Sequence, residues 1–148
     1  SLAWCEANLS SHASFAQTSP HPPLPFRTGQ FDLVYAISVF THLPETMQFE
    51  WLDELARVIS PGGILIATTH GESLLGPDVA PALRAQLQQR GFLYTAGEGT
   101  PGLPDFYQTT FHLEGYVRGN WERGGLRVIG SLPRGINNHQ DAYILERA

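Results

Sequence analysis

Apolar positions in this chain follow two alternating rhythms, one helical and one of unbroken short runs. Leu52, Leu55, Ala56 and Ile59 fall at i, i+3, i+4 and i+7, while Glu50, Asp53, Glu54 and Arg57 lie mostly off that stripe, which predicts an amphipathic helix. Pro44 and Glu45 suit its first turn, where proline loses no needed N–H and a carboxylate meets the positive end of the helix dipole. Ser60, Pro61, Gly62 and Gly63 are expected to end it. On either side, Phe31 to Phe40 and Ile64 to Thr69 are nearly continuous apolar runs, the pattern of strands buried on both faces in a parallel sheet. Strand, helix, strand makes a parallel crossover unit.

The flanks extend the alternation. Leu2, Ala3, Trp4, Ala7 and Leu9 have helical spacing, stopped by Ser10, Ser11 and His12. Ala13 to Thr18 reads as a short strand, and the prolines between Pro20 and Pro25 impose a loop because they permit neither helix nor ladder. Downstream, Val79, Leu83 and Leu87 mark a helix closed by Gly91, and Gly97 to Pro104 reads as a loop. Leu113, Tyr116, Val117 and Trp121 share a further helical face, although Gly115 and Gly119 each cost about 1 kcal/mol relative to alanine. Leu126 to Leu132 and Ala142 to Leu145 read as antiparallel strands joined by a turn-rich loop from Pro133 to Asp141. The order implies an α/β layered fold.

Composition narrows the function classes. A chain of 148 residues is the size of one domain, and 42% hydrophobic with 16% charged residues is ordinary for a globular protein. No apolar run is long enough to cross a bilayer. A formal net charge of −5 disfavours nucleic acid as the main partner. Cys5 is the only cysteine and no charged-then-apolar leader precedes it, so a cytoplasmic protein is expected. The helical pattern begins directly after Ser1, and the sequence is therefore expected to start within a domain.

The segments Pro22-Pro23-Leu24-Pro25-Phe26, Phe31-Asp32-Leu33-Val34-Tyr35, Ser38-Val39-Phe40-Thr41-His42-Leu43 and Leu55-Ala56-Arg57-Val58-Ile59-Ser60-Pro61-Gly62-Gly63 together resemble class I S-adenosylmethionine-dependent methyltransferases. Their order and spacing look like that family's third strand, fourth strand, following helix and fifth strand. Thr68-Thr69-His70-Gly71 resembles members found with sugar-modifying enzymes. The resemblance implies a Rossmann-like, doubly wound, mostly parallel sheet with an antiparallel C-terminal strand pair, in the order 3-2-1-4-5-7-6. The family's first strand, its Gly-x-Gly loop and the acidic residue ending its second strand have no counterpart here. The chain thus reads as a partial domain, truncated at its N-terminus. It is expected to bind S-adenosylmethionine weakly or not at all by itself, and the strand from Phe31 is left with an open edge. Unpaired edges invite pairing, so that edge is expected to be covered by a repositioned segment or by a second copy in a homodimer.

Ligands of open α/β sheets bind beyond the carboxyl ends of the parallel strands. By the resemblance, Thr18, Ser19, Ala36, Ile37, Ser38 and His42 are the candidate cofactor-binding residues. Methyl transfer to a hydroxyl needs an aligned nucleophile, exclusion of water and a base. His70, His112 and Tyr107 are the candidates for that chemistry and are expected to converge on one cleft. Each has a plainer reading as a capping, satisfied or packing residue. No histidine pair has the spacing of a zinc site, so no metal is expected. Trp51 and Trp121, at helical positions without a basic groove, read as core. The leading reading is a methyltransferase acting on a small polar acceptor such as a sugar hydroxyl. The competing one is a noncatalytic scaffold or dimerisation domain. A nicotinamide-dependent reductase would need a Gly-x-Gly-x-x-Gly turn, which is absent.

Overall fold

The computed structural model describes residues 2–95 and 101–148. Its elements are α1 (Leu2–Leu9), β1 (Phe31–Ala36), α2 (Glu45–Val58), β2 (Ile59–Thr69), α3 (Pro81–Arg90), β3 (Phe92–Thr95), β4 (Thr109–His112), α4 (Glu114–Asn120), β5 (Leu126–Ile136) and β6 (Gln140–Arg147). The main sheet has the order β1-β2-β6-β5. β1 and β2 are parallel, with Val34 opposite Leu65 and Ala36 opposite Ala67. β6 runs antiparallel to both β2 and β5. This is the 4-5-7-6 half of the expected order, and the α/β fold with its antiparallel C-terminal pair holds.

α2 forms where the pattern places it, burying Met47, Leu52, Leu55, Ala56 and Val58. Glu54 is buried too, because Arg57 donates to it at 2.6 Å and the Leu24 N–H donates to it at 2.6 Å. Arg57 also donates to the Phe26 carbonyl at 2.9 Å and the Leu24 carbonyl at 3.3 Å. The pair straps the proline-rich loop onto the helix, and the Arg57 hydrogen bond holds the Glu54 carboxyl below its usual range. The core beneath contains Phe40, Leu65, Trp121, Tyr143 and Leu145, all at 0–1% exposure. A smaller cluster of Leu75, Leu87, Leu93 and Phe111 lies under α3. Gly91 caps α3 in the left-handed region at φ 72°, where a Cβ would come within 2.7 Å of the Tyr116 Cβ.

Several expectations are corrected. Residues 13–19 form no strand, because a strand needs a ladder partner and none of the described strands pairs with them. β1 stops at Ala36, since Ser38 takes a positive φ of 58° that turns the chain out of the sheet. β1 is an edge strand rather than one buried on both faces, leaving Leu33 56% and Tyr35 72% exposed. No described strand pairs with that edge. Ser60 to Gly63 do not separate α2 from the next strand but lie inside β2, where Gly62 at φ 77° accompanies a shift of register against Phe31 and Leu33. β5 and β6 extend to a tight turn in which Asn137 and Asn138 take φ of 54° and 53°, so the expected long loop is mostly strand. The antiparallel pair of β3 and β4 was not anticipated. Of the loop expected at Gly97 to Pro104, residues 97–100 lie outside the described residues.

Candidate active site at the carboxyl ends of the parallel strands

β1 and β2 end on the same side of the sheet, and the β5–β6 turn arrives there because Asp141 pairs with Thr69. Two arrangements form at that end. The first is a closed ring of hydrogen bonds. The Ser38 N–H donates to Thr68 Oγ1 at 2.8 Å, Thr68 Oγ1 donates to Gln140 Oε1 at 2.6 Å, and Gln140 Nε2 donates to Ser38 Oγ at 2.7 Å. A non-glycine residue at positive φ is strained, and the ring holds it in place.

The second arrangement is aromatic. His70, half-buried directly after β2, lies 6.1 Å from the His42 ring, 5.8 Å from His139 and 5.7 Å from Phe111. His42 stacks on Tyr107 with centroids 4.1 Å apart. Its Nδ1 lies 2.8 Å from the Gln108 carbonyl, which can only accept, so Nδ1 carries a proton. His70 Nδ1 is enclosed and makes no hydrogen bond of good geometry. Burial, then the His42 and His139 charges, push the His70 pKa below the usual imidazole value. Those effects favour the neutral ring over the imidazolium.

The expected convergence is divided. Tyr107 joins His70 through His42, but His112 lies in the core at 1% exposure, ringed by Phe92, Tyr116 and Trp121 at 5.1–5.9 Å. Alternation along β4 explains this: Phe111 faces His70 and His112 faces the opposite side. Gln48 Nε2 donates to the carbonyls of Phe40 and Leu43, which turns its Oε1 toward His112 Nε2 at 2.9 Å. His112 is thus the Nε2–H tautomer, with Nδ1 unpartnered and its pKa pushed by burial to about 3.

The candidate cofactor residues also separate. Thr18 and Ala36 line one side of an apolar cavity of about 300 Å³ with Val39, Phe40 and Trp51. Ile37 and Ser38 line another of about 200 Å³. Ser19 is exposed and accepts the His21 N–H at 3.3 Å, and His42 belongs to the aromatic group. Trp121 is core, while Trp51 is half-buried and donates to the Pro20 carbonyl. Among the described residues no group of His, Cys, Asp or Glu is placed to hold a metal ion, and no helix is long and apolar enough to cross a membrane. Sequence reasoning missed Gln140, Thr68, His139 and Gln48, which act through contacts distant in sequence.

Residues 1–67 match the methyltransferase domain family. The chain is 42% identical over 72 residues to a probable chloroplastic tocopherol O-methyltransferase of Oryza sativa subsp. japonica, a stretch covering 49% of this chain and 19% of the rice protein. Its fold is similar to that of the PH0226 protein of Pyrococcus horikoshii OT3, with a TM-score of 0.62 at 14% identity, over 99% of this chain and 64% of that one. It is also similar to the [4+2]-cyclase SpnF, with a TM-score of 0.59 at 14% identity, over 98% of this chain and 60% of that one. The N-terminal part of the chain is thus similar to methyltransferase domains, and the fold of the whole is similar to that of the solved structures. It matches about a fifth of the rice relative's length.

The described residues fit S-adenosylmethionine on one side only. The cavity at Thr18 and Ala36 offers apolar walls, but no carboxylate lines it. The described glycines at positive φ are Gly29, Gly62, Gly91, Gly102, Gly124 and Gly125, and none follows the carboxyl end of β1 or β2.

Proposed function

We propose that the protein to which this chain belongs transfers a methyl group from S-adenosylmethionine to the hydroxyl of a small polar molecule. The observation that carries this reading is His70: a neutral, half-buried imidazole at the carboxyl end of a parallel strand, flanked by His42, His139 and Phe111. When bound, the cofactor supplies an electrophilic methyl carbon that the acceptor oxygen takes as the carbon–sulfur bond breaks. His70 receives the hydroxyl proton, through Nε2 because Nδ1 is enclosed. The stacked His42 and Tyr107 exclude water on one side. Thr18 and Ala36, with Val39, Phe40 and Trp51, take the adenosine side. The O-methyltransferase name of the rice relative supports oxygen as the methylated atom.

A second reading, a noncatalytic domain, draws on the cavity that lacks a carboxylate. The fold does not choose between them, since one neighbour is a cyclase. Two measurements do. Titration of this chain with S-adenosylhomocysteine should give weak binding or none, because each missing charge-assisted hydrogen bond is worth about 1.5–3 kcal/mol; low-micromolar affinity would contradict this. In the whole protein, His70→Ala should lower turnover by about 10²- to 10⁴-fold with cofactor affinity unchanged. Equal turnover in the variant would remove His70 as the base, and no methyl transfer by the unaltered protein would favour the noncatalytic reading.

A further inference from the structure

The hydrogen-bond ring at Ser38 has a direction. A backbone N–H can only donate, so Thr68 accepts from Ser38, passes its own proton to Gln140 Oε1, and Gln140 turns its amide nitrogen onto Ser38 Oγ. Two donors of the three side chains are left over by the ring, the Ser38 hydroxyl proton and the second hydrogen of the Gln140 amide. That hydroxyl accepts from Gln140, so its own O–H is left to donate elsewhere, at a cleft of about 200 Å³ lined by Ile37, Ser38, Ile136, Asn137, His139 and Gln140.

The lining sets the ligand's chemistry. It contains no Asp, Glu, Lys or Arg, so nothing there neutralises a charged group. Two isoleucines give apolar walls, and a hydroxyl, two amides and an imidazole give polar points between them. The volume lies below the roughly 300 Å³ at which drug-sized pockets begin, which suits a single small ring. His139 also joins this cleft to His70, with the two rings 5.8 Å apart.

We propose that this cleft binds a neutral, hydroxylated ring of monosaccharide size, with Ser38 donating to one ligand oxygen and His139 meeting a neighbouring hydroxyl. Resting on the methyltransferase reading, this is the acceptor subsite, and it sets the acceptor's hydroxyl on the His70 side. Thr68 and Gln140 are positioning residues, acting through Ser38.

The test uses the chain isotopically labelled for NMR and titrated with D-glucose and with myo-inositol, neither of which needs the cofactor. At least one should give saturating shifts at the amides of Ser38, Thr68, His139 and Gln140. Ser38→Ala should weaken that binding about 2- to 10-fold, the worth of one hydrogen bond. Gln140→Leu should weaken it similarly while also moving the Ser38 amide resonance before any ligand is added. Shifts absent for both probes, or unchanged affinity in Ser38→Ala with its fold intact by the same spectrum, would overturn the site. Polyol binding here without methyl transfer in the whole protein removes the enzymatic reading and leaves the cleft. Methyl transfer without shifts at Ser38 and His139 removes the cleft and leaves the enzyme.

Discussion

The two edges of the main sheet meet their surroundings on opposite terms. At β5 the Val128 N–H donates to a Glu122 carboxylate at 3.2 Å, and Arg118 donates to the Val128 carbonyl at 3.4 Å. Arg118 is itself held by Glu114 at 2.8 Å, and Arg127 pairs with Glu146 at 3.0 Å. Charged side chains thus occupy that strand's outward groups, a common way to stop edges from pairing. At β1 the flanking side chains are Leu33 and Tyr35, 56% and 72% exposed, and beside them lies an apolar recess of about 250 Å³ reaching Leu24, Phe26 and Leu55. One edge has the chemistry of a boundary, and the other has the chemistry of an interior strand. The difference teaches that an apolar pattern describes what a strand can bury, not what it does bury.

The largest effect should come from the half of the sheet that is filled. Trp121 is fully buried against Phe40, His112 and Tyr143, so Trp121→Ala should cost about 3–5 kcal/mol in denaturant unfolding. Leu33→Ala, on the exposed side, should cost far less. Equal losses would mean that β1 is packed in solution and that the comparison fails.

Next comes a pH dependence seated in the same core. His112 accepts a proton only near pH 3 when folded, but at its ordinary value near 6.5 when unfolded. The unfolded state therefore binds more protons between those values, and stability falls as pH drops through that window, approaching about 1.4 kcal/mol per pH unit. His112→Gln removes the titrating group, so the unaltered chain should show the steeper loss between pH 6 and pH 4. Parallel stability curves for the two would show that His112 is solvated.

How much of this could be read from the chain follows the range of each interaction. α2 was legible because Leu52, Leu55 and Ala56 carry its periodicity within two turns, and β2 as the apolar run from Ile64 to Thr69, although the strand begins at Ile59, which the helical stripe had claimed. β1 was legible as a strand but not as an edge, since Leu33 and Tyr35 have the same pattern with or without a neighbour. His70 was placed by the rule that ligands lie beyond strand ends. His112 was misplaced because nothing local shows which of two buried neighbours, Phe111 and His112, faces His70. The ring of Ser38, Thr68 and Gln140 joins residues up to 102 positions apart, and no local signal announces it.

A smaller effect tests the guarded edge. Glu122→Ala frees the Val128 N–H, which is half-buried, and should cost about 0.5–1.5 kcal/mol. It should also raise self-association measured by light scattering, because one protected donor of β5 becomes available. A change in stability without any change in mass would show that Arg118 alone suffices to guard the strand.

The smallest effect on stability should come from the unguarded edge, where it is also the most informative. Leu33 is exposed and makes no hydrogen-bonded contact beyond its pairing with β2, so Leu33→Lys should change folding stability by no more than about 0.5 kcal/mol. Its effect on association should be large. β1 carries an apolar residue at every position but Asp32, so a second copy of the same strand meets its demand for apolar partners. With a two-fold axis normal to the sheet, Leu33 of each copy can lie opposite Tyr35 of the other, burying both exposed residues at once. A lysine at that position would place a charge against the partner's ring in each half of the interface. The unaltered chain should therefore show a mass that rises with concentration toward a dimer, and Leu33→Lys should remain a monomer over the same range. A monomeric unaltered chain would show that edge to be bare in solution.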